Sequence, residues 1–386
     1  MFWSNNNNGY GEGKFLIIDV GAYEIKGKVW GESMSPIVVK STGFRGYITN
    51  PVDLKNSIYN VLEGIKSTYP QEITRLYPFF AVSFKDVEFV QYEESIPCSP
   101  KVKREHIYKI KGILENKIRN ESQKEILFSE ITSYKILNPD NKEMVVDYPE
   151  GLSARSLTAQ ISFLLIPQGI FSDFLETVKG VCSDFGLKKP TVVDSTLALA
   201  YGLKEKFENF DLLDMGYTST RLVRIRGGKL VKFETINFGG INIHLSLEAF
   251  GIPNYEVKNV LHDIFIKDKP KIIGGPNNSE IYSNVIEQQI ENSLRNVFGR
   301  ISFSAIPIFV GGFSNLGKKF RELINSAINA NIIFLDVDPL DVMGKGISNS
   351  FYGKIQTKKG SYAGKEFNFL DSFIDFIKRE VLGKED

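Results

Sequence analysis

Apolar residues in this chain fall in short runs that stop at turn formers and then resume. FLII over residues 15–18 leads into Asp19 and Gly21, and apolar positions return at Ile25, Val29 and Trp30. That is the pattern of a strand, a tight turn and a second strand. Far downstream, FDLLDMGYTSTRLVRI repeats it: an apolar run ends at Asp214 and Gly216, and a strand resumes over 221–225. A further turn at Arg226, Gly227 and Gly228 opens a third strand. Each half of the chain therefore begins strand, Asp-x-Gly, strand, which reads as an internal duplication. A carboxylate closing an apolar strand is costly to desolvate, so its recurrence asks for a use of its charge.

Between the two repeats the periodicity changes twice. Residues 51–67, PVDLKNSIYNVLEGIKS, place Leu54, Ile58, Val61, Leu62 and Ile65 on one helical face behind Pro51 and Asp53. FFAVSF at 79–84 is a short buried strand. From 85 to 164 come an alternating strand, a charged amphipathic helix (KREHIYKIKGILENKI) and two more strands, an order that makes a small α+β unit inserted into the first sheet's chain. A helix over 167–187 and the strand-to-helix stretch PTVVDSTLALAYGL restore the first pattern. The expected organisation is a polar tail at 1–13, a first lobe at 14–84 and 165–206, and the insertion at 85–164. A second lobe follows at 207–250 and 301–352, with a reduced subdomain at 251–300, a linker at 353–365 and a C-terminal helix at 366–386. The fold class is α/β, two lobes with duplicated turns plus a small α+β insertion.

Composition narrows the function classes. With 386 residues the chain exceeds one ordinary core. Its 47 Lys and Arg against 46 Asp and Glu leave no global basic character, so nucleic acid is not an expected partner. Cys98 and Cys182 have no metal-ligand spacing, and their scarcity suits a reducing cytoplasm. His106, His244 and His262 are scattered without zinc spacing. No stretch reaches the roughly 20 apolar residues of a spanning helix, so the expectation is a cytoplasmic protein, attached at most to a membrane surface.

The two turns carry the candidate chemistry. A glycine lets backbone N–H groups approach a phosphate, and a neighbouring carboxylate, Asp19 or Asp214, can hold Mg²⁺ through water. A third part comes from IPIFVGGFSNLGKKF at 306–320: a strand, then Gly311 and Gly312, then a helix with Ser314 or Asn315 at its start. Asp194, closing the strand TVVD, is either a general base or a helix cap.

These residues resemble the actin-like ATPase superfamily. Asp19, Gly21 and Lys26 match its first phosphate loop, Asp214, Gly216 and Thr218 its second, and GGFSN its adenosine loop, while VVDSTLALAYGL looks like its first connecting segment. Within the superfamily the chain is most similar to the FtsA family of bacterial cell-division proteins. KSTGFRGYITNPVDLKNSIYNVL resembles the segment that opens that family's first helix, and SYKILNPDNKEMVVDYPEGLSARSL resembles its inserted subdomain. The resemblance implies ATP and Mg²⁺ as ligands, with Ala22, Gly239 and Gly240 joining the phosphate contacts and Glu256 and Lys258 reaching the base or ribose. It also implies a filament-forming scaffold that binds the C-terminal tail of FtsZ and other division proteins at the inner face of the membrane. Departures temper turnover: Ala22 stands where the family usually carries Ser or Thr, DMGYTST replaces a glycine triplet, and no clear water-activating base emerges, so hydrolysis is expected to be slow or absent. The PilM-type pilus assembly proteins share the fold and the insertion, with a second loop similar to LLDMGYTSTRL, and form the rival reading, in which the chain holds a partner's cytoplasmic peptide. A sugar or acetate kinase of the same superfold needs a placed catalytic acid and a substrate pocket, which the insertion does not suggest.

The tail adds one expectation. After a lysine-bearing linker, Phe367, Leu370, Phe373, Ile374, Ile377 and Val381 recur at helical spacing, widened by Phe369 and Phe376. Such a stripe either docks on the protein or lies in a membrane surface, and the resemblance favours the membrane. Residues 366–386 nevertheless hold six acids against three bases, so attraction to anionic lipid would have to come from the linker.

Overall fold

The computed structural model describes residues 14–70, 73–249, 251–266, 279–311, 317–328, 330–335 and 338–348, without the side chains of 254, 258 and 279–283. The chain divides into two units. The first takes Met1–Val20, Glu24–Glu205 and Leu340–Asp386, and the second Gly21–Tyr23 and Lys206–Pro339.

The first unit opens with β1 (Phe15–Val20), β2 (Glu24–Trp30), β3 (Ile37–Lys40), α1 (Pro51–Thr68) and β4 (Tyr77–Val82). Helix α1 starts where the sequence provides a cap: the Asn50 side chain accepts from the amides of Val52 and Asp53, with Pro51 at the first helical position. Its stripe of Leu54, Ile58, Val61, Leu62 and Ile65 is fully buried, and each such side chain contributes about 1.5–3 kcal/mol of transfer free energy. The insertion follows as β5 (Glu88–Pro97), α2 (Arg104–Glu121), β6 (Lys124–Leu137), β7 (Glu143–Val146) and β8 (Ser156–Pro167). Its sheet runs β5-β8-β6-β7, wholly antiparallel. Ile107, Ile110, Leu114 and Ile118 of α2 share a core with Ile161, Phe163 and Leu165 of β8. The chain returns through α3 (Gln168–Asp184), β9 (Thr191–Asp194) and α4 (Ser195–Leu203). Tyr201 of α4 donates its hydroxyl to Glu130 of β6 at 2.6 Å, with the Lys204 ammonium 3.7 Å from the other carboxylate oxygen. This buried carboxylate fixes the insertion to the unit that carries it.

The second unit contains β10 (Phe210–Met215), β11 (Thr220–Arg226), β12 (Lys229–Ile236), α5 (Gly240–Ala249), α6 (Asn254–Phe265), α7 (Ser279–Phe298), β13 (Ile306–Gly311), α8 (Gly317–Ile328) and β14 (Ile333–Phe334). Leu213 and Met215 of its sheet pack with Leu247, Leu261, Leu294 and Phe320 from the helices. A final helix, α9 (Pro339–Ile347), belongs almost wholly to the first unit. There Lys28 donates to Asp341 at 2.6 Å, and Lys345 pairs with Glu205.

The two main sheets are copies of one plan. Their orders are β3-β2-β1-β4-β9 and β12-β11-β10-β13-β14. In each, the first strand is antiparallel to the second and parallel to the strand on its other side. The outer pairs repeat this, with β2·β3 and β11·β12 antiparallel and β4·β9 and β13·β14 parallel. Among the described residues no helix is long and apolar enough to cross a membrane.

Candidate phosphate-binding turns

The duplication is exact at the level of register. Asp19 of β1 lies opposite Lys26 of β2, and Asp214 of β10 lies opposite Arg221 of β11. Both motifs thus read Asp-x-Gly, four residues, then a base. In β1 every residue except Asp19 is buried, and in β10 every residue except Asp214. Both carboxylates stand near the carboxyl ends of strands paired in parallel on one side, where open α/β sheets place their ligands. Partial exposure there spares each carboxylate the full desolvation cost.

In the first turn Ala22 is buried, so its position contributes a methyl group and no hydroxyl. The Lys26 ammonium is 3.6 Å from Glu24, a half-exposed pair worth at most about 1 kcal/mol. At the same sheet edge, β9 ends at Asp194, whose carboxylate accepts the Leu197 amide at 3.0 Å and so caps α4. Asp194 is buried, and next to it the hydroxyls of Ser83 and Ser195 are 2.5 Å apart. Val20 pairs with Val82 and Val82 with Asp194, which puts Asp194 two strand spacings, about 10 Å, along the edge from the Asp19 strand. The two serines were not singled out from sequence; their signal was that each follows the last residue of a strand.

The second turn is bound more tightly to its surroundings. The Gly216 amide donates to the Ser219 carbonyl at 2.9 Å. The amides of Gly240 and Ile241, at the start of α5, donate to the carbonyls of Gly216 and Tyr217 at 3.1 and 2.8 Å, and the Gly239 amide donates to the Asn242 side chain at 2.9 Å. Helix-start amides normally lack intrahelical partners, and here the turn itself takes them. A Cβ on Gly239 would lie 2.6 Å from the Tyr217 carbonyl oxygen, so this junction admits only glycine. Gly239 and Gly240 therefore shape the turn, with their donors already engaged inside the protein. Thr218 is half-buried. His244 of α5 is buried, edge-on to the Tyr217 ring at 5.8 Å. Burial holds its imidazole below the ordinary histidine pKa, opposed by the Glu248 carboxylate. Arg221, the counterpart of Lys26, is buried with its guanidinium 5.3 Å from the Phe233 ring, and sequence reading passed over it.

The strand β13 ends beside this turn. Gly311 pairs with Met215 and has φ +143°, and a Cβ there would come within 2.2 Å of the Met215 carbonyl oxygen. Gly312, Ser314 and Asn315 lie outside the described residues, as do the tail positions Phe367, Phe369, Leu370, Phe373, Ile374 and Ile377. Glu256 is half-buried in the first turn of α6; the Lys258 side chain lies outside the description. Both cysteines are free and buried, and burial pushes the Cys182 thiol up to about 12. No group of His, Cys, Asp and Glu that could itself hold a metal ion occurs among the described residues.

No protein-family profile matches the chain, and no curated protein matches it in sequence. Its likenesses are structural. A PilM–PilN type IV pilus biogenesis complex aligns with a TM-score of 0.53 at 17% identity, over 85% of this chain and 89% of that one. The ethanolamine utilization protein EutJ from Carboxydothermus hydrogenoformans aligns with a TM-score of 0.50 at 13% identity, over 88% of this chain and 90% of that one. At such identities the likeness concerns architecture alone, and the architecture is plain: the chain has the actin-like ATPase fold.

Proposed function

We propose that this chain is a nucleotide-binding scaffold that works by holding other proteins. The observation that carries the reading is the repeated Asp-x-Gly turn, set at the same register in both sheets, with a half-exposed carboxylate as the one unburied residue of its strand. ATP is the proposed nucleotide, with Mg²⁺ held through water by Asp19 and Asp214. Gly21, Ala22 and Lys26 would serve the phosphates from the first turn, and Gly216 and Thr218 from the second. The hydroxyl-free Ala22 and the helix-capping bond of Asp194 favour binding over turnover. Titration calorimetry with Mg·ATP tests the site: Asp19→Asn and Asp214→Asn should each weaken binding about tenfold or more without moving the melting temperature. Wild-type affinity in both variants would refute it.

For the partner, the resemblance to FtsA proposes a filament that tethers FtsZ to the inner face of the cell membrane. The likeness to a PilM–PilN complex favours a second reading, in which the insertion helps hold a cytoplasmic peptide of a pilus protein. Fluorescence anisotropy of a labelled FtsZ C-terminal peptide separates the two. Saturable micromolar binding supports the division reading, and its absence moves the proposal to the pilus partner.

A further inference from the structure

Helix α2 turns one face to the insertion's core and leaves another open. Over residues 101–119 the chain carries seven Lys and Arg against two Glu, although the whole protein has a formal net charge of +1. Lys101, Lys103, Lys109, Lys117 and Arg119 are exposed. Among them sit two apolar side chains that the core does not take, Tyr108 at 39% exposure and Ile113 at 37%, with the Arg104 guanidinium 6.0 Å from the Tyr108 ring. Between them, Gly112 lies one helical turn from both Tyr108 and Asn116, and a Cβ built on it meets nothing within 4 Å. Glycine inside a helix carries a stability cost relative to alanine. Gly112 has neither a positive φ nor a crowded neighbour to account for that cost. The result is a basic helical face with a shallow apolar notch.

The sequence contains a segment of matching character. Residues 366–386 carry six acids and three bases, with Asp371 and Asp375 one helical turn apart beside the apolar positions Leu370, Phe373, Ile374 and Ile377. That acidic balance opposes attraction to anionic lipid, and it complements the α2 face. Reach is ample. Helix α9 ends at Ile347 in the same unit as α2, and the 18 residues from 348 to 365 span about 60 Å when extended, roughly twice the diameter of a small domain.

We propose that the exposed face of α2 receives the chain's own segment 366–386, with its apolar stripe over the Gly112 notch and Asp371 and Asp375 toward Lys109 and Lys117. This goes beyond the nucleotide reading and does not depend on it. Zero-length carbodiimide cross-linking of the full chain, followed by peptide mass spectrometry, tests it. The expected product joins Lys109 or Lys117 to an acid of 366–386 within one molecule. Lys109→Glu with Lys117→Glu should cut that product at least tenfold, and adding Asp371→Lys with Asp375→Lys should restore cross-linking with the charges exchanged. Gly112→Leu should also abolish the product while leaving the melting temperature unchanged or raised, which separates blocked docking from misfolding. Links found only between isotopically distinct copies would assign the face to a second molecule and overturn the proposal. Absence of the product from full chain that pellets with phosphatidylglycerol vesicles would assign the segment to the membrane and overturn it equally.

Discussion

The two main sheets share strand order, pairing sense and the placement of an aspartate, yet equivalent positions are filled in opposite ways. Beside the first turn, β1 ends at Val20 opposite Val82, two buried apolar residues. Beside the second, β10 ends at Met215 opposite Gly311, where the backbone has φ +143° and a Cβ would strike the Met215 carbonyl oxygen. One strand entrance differs as well. The second residue of β1 is Leu16 and that of β10 is Asp211, and both are wholly buried. A duplicated frame therefore conserves hydrogen-bond register, which fixes strand positions, while each copy solves its own packing around that register. What recurs in both copies at the same depth, the half-exposed aspartate, is what packing alone does not explain.

Exchanging the two strand-end residues should break this comparison most strongly. Gly311→Val forces a side chain into the Met215 carbonyl and into a backbone region that non-glycine residues rarely adopt, so the second unit should lose about 3 kcal/mol or more. Val82→Gly in the first unit removes a buried side chain and frees the unfolded backbone, a loss of about 2 kcal/mol. Native-state hydrogen exchange reads each unit separately, and the faster-exchanging amides should lie in β10 and β13 for the first variant and in β1 and β4 for the second. Similar exchange of β10 and β13 in Gly311→Val and wild type would show that the close approach is not binding on the fold.

Asp211 sharpens the contrast at the other strand end. Its carboxylate accepts from the Arg226 guanidinium at 2.5 Å and from the Ser304 amide at 3.1 Å, with the Arg224 Nε 3.8 Å away. It thereby joins the loop before β13 to the β10–β11 pair. Asp211→Asn leaves two partly buried guanidinium groups without their carboxylate and should cost about 2–3 kcal/mol. The shift should appear in urea unfolding followed by circular dichroism, and Leu16→Ala should leave that part of the transition untouched.

How much of this was legible in the sequence depends on how local each cause is. The hairpins at Asp19 and Asp214, the helix α1 and the inserted α+β unit follow from periodicity and turn chemistry within a dozen residues, and the structure has this fold. Strand β7 was not foreseen, because EMVV is four residues long with Met144 and Val145 exposed, so no alternation marks it. The Asp211 anchor was equally hidden, since its partner Ser304 is 93 positions away. Around the candidate site, the sequence located the two turns but not their fittings. Arg221 looked like one base in a strand of several, and only its register opposite Asp214 marks it as the counterpart of Lys26. The amides of Gly239 and Gly240 were expected to face a phosphate, and their bonds to the turn and to Asn242 follow from how β12 leads into α5, which no local pattern encodes.

The smallest expected effect separates the turns by pH. The second turn has a histidine packed against it, His244 under Tyr217, and the first has the methyl of Ala22. Burial lowers the His244 pKa in the folded state, so the unfolded chain binds its proton more readily. Stability then rises with pH wherever the unfolded state holds more protons. The contribution is intact above the unfolded histidine value, about 6.5, and is lost progressively as the pH falls through it toward the folded value. Protection factors against hydrogen exchange in α5 and the second turn should therefore fall from pH 7 to pH 5 in excess of any fall in β1 and β4. His244→Gln should remove the excess at the second turn. Glu248→Gln should enlarge it, because the carboxylate that favours the protonated ring is gone. An excess that survives in His244→Gln would place the proton elsewhere and leave the two turns alike in their response to acid.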